Sequence, residues 1–258
     1  MKNEGQIIRI AKIFGNGAHV FVPKGWAGEQ IVLVKPQKKD LRERIFSALN
    51  PYLESIIGIY LFGSYARGEQ SENSDIDLFV IADKKIKIGE KDFEVTCLDQ
   101  KEIEKAVKFE PILLYSILSE AKPIINSKLL DELRSTYKIS LNDFNEFFED
   151  CKRMIKVNKE FLEREETEFL LSEAVIYSVV LRIRGLFIIQ SLLKGKKYSH
   201  KLFKSWIKSR LPKIDFNSIY TAYNESKNEK KIKQKIKIKD IKLLLELLIK
   251  EISLLENG

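Results

Sequence analysis

A chain of 258 residues that is 44% hydrophobic and 32% charged has room for one large domain or two to three small ones, and is too apolar to be disordered. Two cysteines, Cys97 and Cys151, exclude a disulfide framework and any zinc spacing. With only His19 and His200 as histidines, a metal would be held mainly by carboxylates, which favours magnesium or manganese.

Residues 1–36 read as short strands: an apolar run at 7–14, a turn at Gly15-Asn16-Gly17, a second run at 18–23, a turn at 25–28, and a third run at 31–36. An Asn-Gly turn between apolar alternations is a strong hairpin signal. So small a β module cannot bury a core alone and must pack on something or pair with a copy of itself. Residues 37–125 alternate between helix and strand. Helical spacing covers 41–57, an apolar strand runs from 57 into Gly63-Ser64, and further strands occupy 74–83 and 91–99. Helical spacing returns at 101–118, interrupted by Pro111. That alternation is the pattern of an α/β domain.

From about residue 141 the spacing is helical at 144–161, 168–193, 200–207 and 239–255, which predicts an antiparallel bundle of four or five helices over 140–258. Gly185 and Gly195 punctuate it and Pro212 ends the third helix; residues 224–234, charged and poor in bulky side chains, are expected to be a mobile connection. The net charge of +8 is concentrated here: residues 201–258 hold thirteen Lys and one Arg against seven acidic residues. Such a run suits phosphates, and it equally suits a solvated helix face. No run approaches the roughly 18 apolar residues that span a bilayer, and residues 1–12 do not resemble a signal peptide. The expectation is a cytoplasmic chain with no membrane contact.

The chemistry is carried by Leu61-Phe62-Gly63-Ser64-Tyr65-Ala66-Arg67-Gly68, followed by Ser74-Asp75-Ile76-Asp77-Leu78. A strand that ends in Gly-Ser and turns into a helix exposes N–H groups to phosphate oxygens, and glycine lets the backbone come close. In a strand Asp75 and Asp77 share a face while Ile76 and Leu78 point into the core. Two like charges side by side call for a cation. Arg67 either contacts a triphosphate or pairs with Glu69 or Glu72, and Ser74 either supports the nucleotide or caps a turn.

Gly-Ser, ten residues, then Asp-Ile-Asp resembles the polymerase-β-type nucleotidyltransferase superfamily, in particular its minimal branch. The resemblance implies a metal-dependent enzyme that transfers AMP from ATP, or another nucleoside monophosphate, to an acceptor hydroxyl. It also implies a third carboxylate on a neighbouring strand. Glu94 stands in that place, where minimal members usually have Asp; Asp92 and Asp99 compete with it. Asp75, Asp77 and Glu94 are then the catalytic and metal-binding set, and Gly63, Ser64, Arg67 and Ser74 the nucleotide contacts.

The helical part, with Leu181-Arg182-Ile183-Arg184-Gly185 and Tyr198-Ser199-His200, resembles the HEPN and kanamycin-nucleotidyltransferase C-terminal bundle. Arg184 and His200 are candidate substrate contacts, with helix-start packing the other role for His200. Their separation of sixteen residues does not match the ribonuclease spacing of HEPN proteins, four to six. The first 36 residues resemble an AbrB/MazE-type swapped hairpin, which implies a homodimer and, less securely, DNA contact. The fold expected is α+β and multidomain: a β-hairpin module (1–36), a polymerase-β-like α/β core (37–125) and an antiparallel helix bundle (140–258). The rival function is a nucleotide-sensing, DNA-binding or antitoxin-like regulator. A third is a drug-modifying transferase, for which Glu163, Glu165 and Glu166 could meet a cationic acceptor. The acceptor itself could be protein, RNA or a small molecule.

Overall fold

The computed structural model describes residues 9, 11–31, 33, 40–71, 74–89, 91–170 and 172–257. They fall into two compact units, Met1–Phe46 and Ser47–Gly258. In the first, β1 (Lys12–Phe14) pairs antiparallel with β2 (Gly17–His19) around Gly15, whose φ of 54° a side chain would strain. Phe14, His19 and Phe21 form an edge-to-face ladder at 5.4 and 4.8 Å. Much of the expected first and third runs (7, 8, 10, 32 and 34–36) lies outside the described residues, and residues 20–31 hold a 3-10 turn at Lys24–Trp26 and no strand.

Helix α1 (Leu41–Leu49) straddles the boundary, and Asp40 opens it by accepting from the Glu43 N–H at 2.8 Å. It is shorter than the expected 41–57: Asn50-Pro51 turns the chain into a 3-10 segment, Asn50–Ser55, from which β3 (Ile56–Leu61) starts. The second unit then adds α2 (Gly63–Arg67), β4 (Ile76–Ala82), β5 (Phe93–Leu98), α3 (Gln100–Phe109), α4 (Pro111–Glu120), β6 (Lys122–Ile125) and α5 (Ser127–Thr136). Pro111 does not interrupt one helix. It occupies the first position of a second one, where its missing N–H costs nothing.

The sheet order is β5-β4-β3-β6, with β4–β5 parallel and the other two pairings antiparallel. β4 is buried on both faces from Leu78 to Ala82, which is why it reads as a continuous apolar run. Tyr60, Phe79 and Ile81 pack on Ile103 of α3 and on Leu114, Ile117 and Leu118 of α4.

Helices α6 (Asn145–Glu163), α7 (Glu173–Leu193), α8 (His200–Arg210), α9 (Phe216–Lys227) and α10 (Ile238–Glu256) make the second core. α7 is its centre and is apolar nearly all round. By length and composition it would also cross a membrane, contrary to the sequence expectation, but 72% of its apolar window is buried inside the bundle. Gly185 does not punctuate this helix; it lies inside it, because a Cβ there would meet the Phe147 ring at 2.7 Å. Residues 224–227 extend α9, and beyond them the Lys230 and Lys233 N–H groups donate to Glu225, so the expected mobile connection is tied down. Residues 168–170 are not helical, since they pair with 236–238 through Leu170 N–H to Ile236 O and Ile238 N–H to Glu168 O.

Candidate active site

β3 delivers the chain to Phe62, whose N–H donates to the Asp77 carbonyl at 3.0 Å, and then to Gly63 at φ 68°. Only glycine fits here: a Cβ would lie 1.8 Å from Asp77 Oδ2. The Gly63-Ser64 turn and Asp77 are therefore in direct contact, twelve residues of chain having looped between Ser64 and Asp77. Ile76 and Leu78 are fully buried while Asp77 between them is half-exposed on the other face, as strand alternation requires. Asp75 is exposed one residue before β4. The Ser74 hydroxyl accepts from the Ser71 N–H at 2.8 Å, so it is engaged in a turn. Glu72 lies outside the described residues.

Glu94 is the direct partner of Asp77 across the parallel β4–β5 pair. That register sets two carboxylates side by side. Burial pushes the Asp77 carboxyl up to about 6; Glu94 and Asp75 add to the rise, while the Ser64 N–H and Arg67 oppose it. Such crowding of hard oxygen donors fits a divalent cation, although among the described residues no three His, Cys, Asp or Glu side chains yet converge on one point. Of the competitors, Asp99 is used as the N-cap of α3 and accepts from the Glu102 N–H at 2.8 Å. Asp92 stands at φ 69° just before β5.

Arg67 donates through Nε to Glu69 at 3.0 Å and through Nη1 to both oxygens of Glu120 at 2.8 Å. Glu120, 5% exposed at the end of α4, also accepts the Gly63 N–H at 2.9 Å. Glu69 in turn receives the Ser199 hydroxyl at 2.6 Å, fastening the start of α8. The Tyr198 ring lies between Arg67 and Arg184, at 5.3 and 5.1 Å from the two guanidinium carbons, and its hydroxyl accepts from Arg184 Nε. The His200 ring lies tilted against that of Tyr220, 4.5 Å between centroids. Burial, then Lys204, lowers its pKa. The Arg67–Glu69 pair is the alternative that the sequence offered for Arg67, Tyr198 and Ser199 stood in the bundle motif without a role, and Glu120 escapes sequence reasoning. The one local signal was a carboxylate closing an otherwise apolar helix, Pro-Ile-Leu-Leu-Tyr-Ser-Ile-Leu-Ser-Glu.

A cavity of about 730 Å³ begins at Gly63, Ser64, Arg67 and Asp77 and runs between α4, α6 and α7, with Arg184 and Tyr198 on its wall. Asp75, Glu94, Ser74 and His200 do not line it. Its far end is apolar, with Phe109, Ile112, Phe147 and Leu181, and carries Glu110, Glu146 and the Asp150–Arg182 ion pair at 2.7 Å. The acidic residues of this helical cleft are thus not Glu163, Glu165 and Glu166, which sit at and beyond the end of α6 and off the cavity.

Residues 43–140 match the family model described as polymerase beta, nucleotidyltransferase. A Methanocaldococcus jannaschii protein that bears the provisional name of a protein adenylyltransferase is 40% identical over 47 residues, 18% of this chain and 47% of that protein. The match thus spans about half of that relative. Among solved structures, spectinomycin adenyltransferase AAD(9) from Enterococcus faecialis, with ATP and spectinomycin, is similar at a TM-score of 0.44 and 16% identity, over 81% of this chain and 97% of that one. A nucleotidyltransferase-like protein from Exiguobacterium sibiricum is similar at a TM-score of 0.34 and 15% identity, over 81% and 72%. The family match covers the Gly-Ser turn, all three carboxylates and Glu120, so it is residues 43–140 that are similar to the polymerase beta nucleotidyltransferases.

Proposed function

We propose that the chain is a metal-dependent nucleotidyltransferase that moves a nucleoside monophosphate, AMP from ATP, to an acceptor hydroxyl and releases pyrophosphate. The observation that carries this is Asp77, held against the Gly63-Ser64 turn at the mouth of the cavity with Glu94 beside it in register. In the reaction the acceptor oxygen bonds to the α-phosphorus, the bond to the β-phosphate oxygen breaks, and the acceptor proton passes to a carboxylate. Asp75, Asp77 and Glu94 would hold magnesium or manganese, which when bound offsets charge on the attacking and leaving oxygens. Glu94, exposed and beside Asp77 though off the cavity wall, would take the acceptor proton. The Ser64 hydroxyl would donate to a phosphate oxygen. Arg184, whose guanidinium meets tyrosine on the cavity wall, is the cation offered to the polyphosphate.

A cavity of about 730 Å³ that mixes apolar side chains with Glu110, Glu146 and the Asp150–Arg182 pair favours a compact acceptor over a polynucleotide. The exposed Ile13, Phe14 and Phe21 of the hairpin support a homodimer. The test is label transfer from α-labelled ATP with magnesium to pooled protein, RNA and small-molecule acceptors, by wild type and by Asp75→Asn/Asp77→Asn. Transfer by wild type alone is expected. Metal-dependent ATP binding with no transfer to any pool would favour a nucleotide-sensing regulator instead.

A further inference from the structure

The donors that the Gly-Ser turn would offer to phosphate are partly committed to the protein itself. Gly63 N–H donates to Glu120 Oε1 at 2.9 Å, and Arg67 Nη1 reaches both Glu120 oxygens at 2.8 Å. The Nε of Arg67 is taken by Glu69 at 3.0 Å. One guanidinium shared by two carboxylates has its charge largely offset and its Nε and Nη1 engaged, so Arg67 is poorly suited to be a free phosphate ligand. Glu120 is 5% exposed. A carboxylate that deep needs such hydrogen-bond partners, and removing any of them is costly.

The place where this carboxylate acts matters. Gly63 sits at φ 68° with Asp77 Oδ2 against its Cα, so a small rotation of its peptide would carry the Ser64 N–H away from Asp77. The clamp comes from the last residue of α4, the helix whose Ile112, Leu113 and Ser116 line the other end of the same cavity. The nucleotide turn is thereby referenced to the acceptor wall.

We propose that Glu120 is a positioning residue for nucleotide binding: it fixes the Gly63 peptide and the Arg67 guanidinium so that Ser64 and Asp77 face the cavity, and Arg67 acts through Glu120 without touching phosphate. This rests on the reading of the turn as a nucleotide site. The test uses the full chain with magnesium and an ATP analogue whose α–β bridge cannot be cleaved. Affinity is measured by calorimetry, Gly63 amide exchange by NMR and folding by Tm. Hydrogen bonds to charged groups are worth about 1.5–3 kcal/mol, so Glu120→Ala should weaken binding by roughly 10- to 100-fold and speed Gly63 exchange. Glu120→Gln, which keeps an acceptor for the Gly63 N–H, should retain the exchange protection and lose less affinity. Adding Arg67→Ala to Glu120→Ala should cost little more, since the two act as one unit.

Tighter binding in either Glu120 variant would mean that the carboxylate competes with phosphate, and would overturn the assignment. So would unchanged affinity with a lowered Tm, which is a purely structural role. A full additive loss from Arg67→Ala would place Arg67 on the phosphate and also overturn it. Wild type that binds no analogue would sink the nucleotide reading itself, an outcome read before any variant is compared.

Discussion

At Gly63 a single missing Cβ brings the Gly63-Ser64 turn and the Asp77 carboxylate together. Gly63→Ala would strain a backbone at φ 68° and put a methyl 1.8 Å from Asp77 Oδ2. The left-handed conformation alone costs a non-glycine residue about 1–3 kcal/mol, and Asp77 must also move. The expected outcome is a lowered urea midpoint together with loss of magnesium-dependent ATP binding. Ser64→Ala keeps the backbone N–H and should lose no more than about tenfold, the hydrogen-bond share of one hydroxyl. If Gly63→Ala bound ATP like wild type, the contact with Asp77 would have no part in the site. This part of the site was legible in sequence because it is local: strand alternation orients Asp77, and glycine before serine marks the turn. The Asp77–Glu94 pairing was reachable only through the family pattern, since strand register is a tertiary fact.

Helix α7 shows what a linear reading misses. A glycine inside a helix costs roughly 1 kcal/mol relative to alanine, so Gly185 reads as a break. Here its bare Cα accepts the Phe147 ring of α6, with Ile112 of α4 also near, all three lining the cavity. Gly185→Ala should therefore not gain the usual helix propensity. It should lose about 1–3 kcal/mol through overpacking and push Phe147 into the cavity. Combining it with Phe147→Leu should restore most of the urea midpoint, and failure of that rescue would show that the clash is not the cause. Elsewhere the apolar spacing located α6, α8 and α10 to within a few residues, since each has a distinct buried stripe. Helix α9 escaped because Asn, Ser, Thr and Tyr dominate it and burial of Ile219, Ala222 and Tyr223 overrides their weak propensity. Strand β6 escaped because it is four residues long and contains Pro123, tolerable at the sheet edge.

Across the second unit, the sheet core and the bundle core are joined by α4, which gives Leu114, Ile117 and Leu118 to one and Tyr115 to the other, and by the polar contacts around Glu69. Those contacts bridge 130 and 131 positions of sequence, beyond any local pattern, so the sequence could name His200 and Arg67 as candidates without seeing what joins them. They also make the join sensitive to acid. Glu69 is partly buried, which alone would raise its pKa, but the Ser199 hydroxyl, the Arg67 guanidinium and the His200 N–H hold it below the usual value. A depressed carboxylate contributes stability that is full above its unfolded pKa, about 4.3, and is lost as pH falls through the lower folded value. His200 is also depressed, by burial, then by Lys204 on its own helix and by Arg184 and Arg67, with Glu69 opposing. For a base the sign works out the same way. Its neutral form is favoured in the fold, so stability is full above about pH 6.5 and falls as pH drops through the folded value. The His200 share of Tm, read as wild type minus His200→Gln, should thus hold level above pH 7 and decline from about pH 6.5, and the Glu69 share should decline below about pH 4.3. Asp77, raised to about 6, adds stability in the opposite sense as pH falls through that value. His200→Gln, which keeps a polar ring-sized group but cannot titrate, should flatten the first decline and leave the second, while Glu69→Gln should lower Tm near neutrality and flatten the second. A His200→Gln profile that runs parallel to wild type between pH 7 and 5 would remove His200 as the sensor of this join.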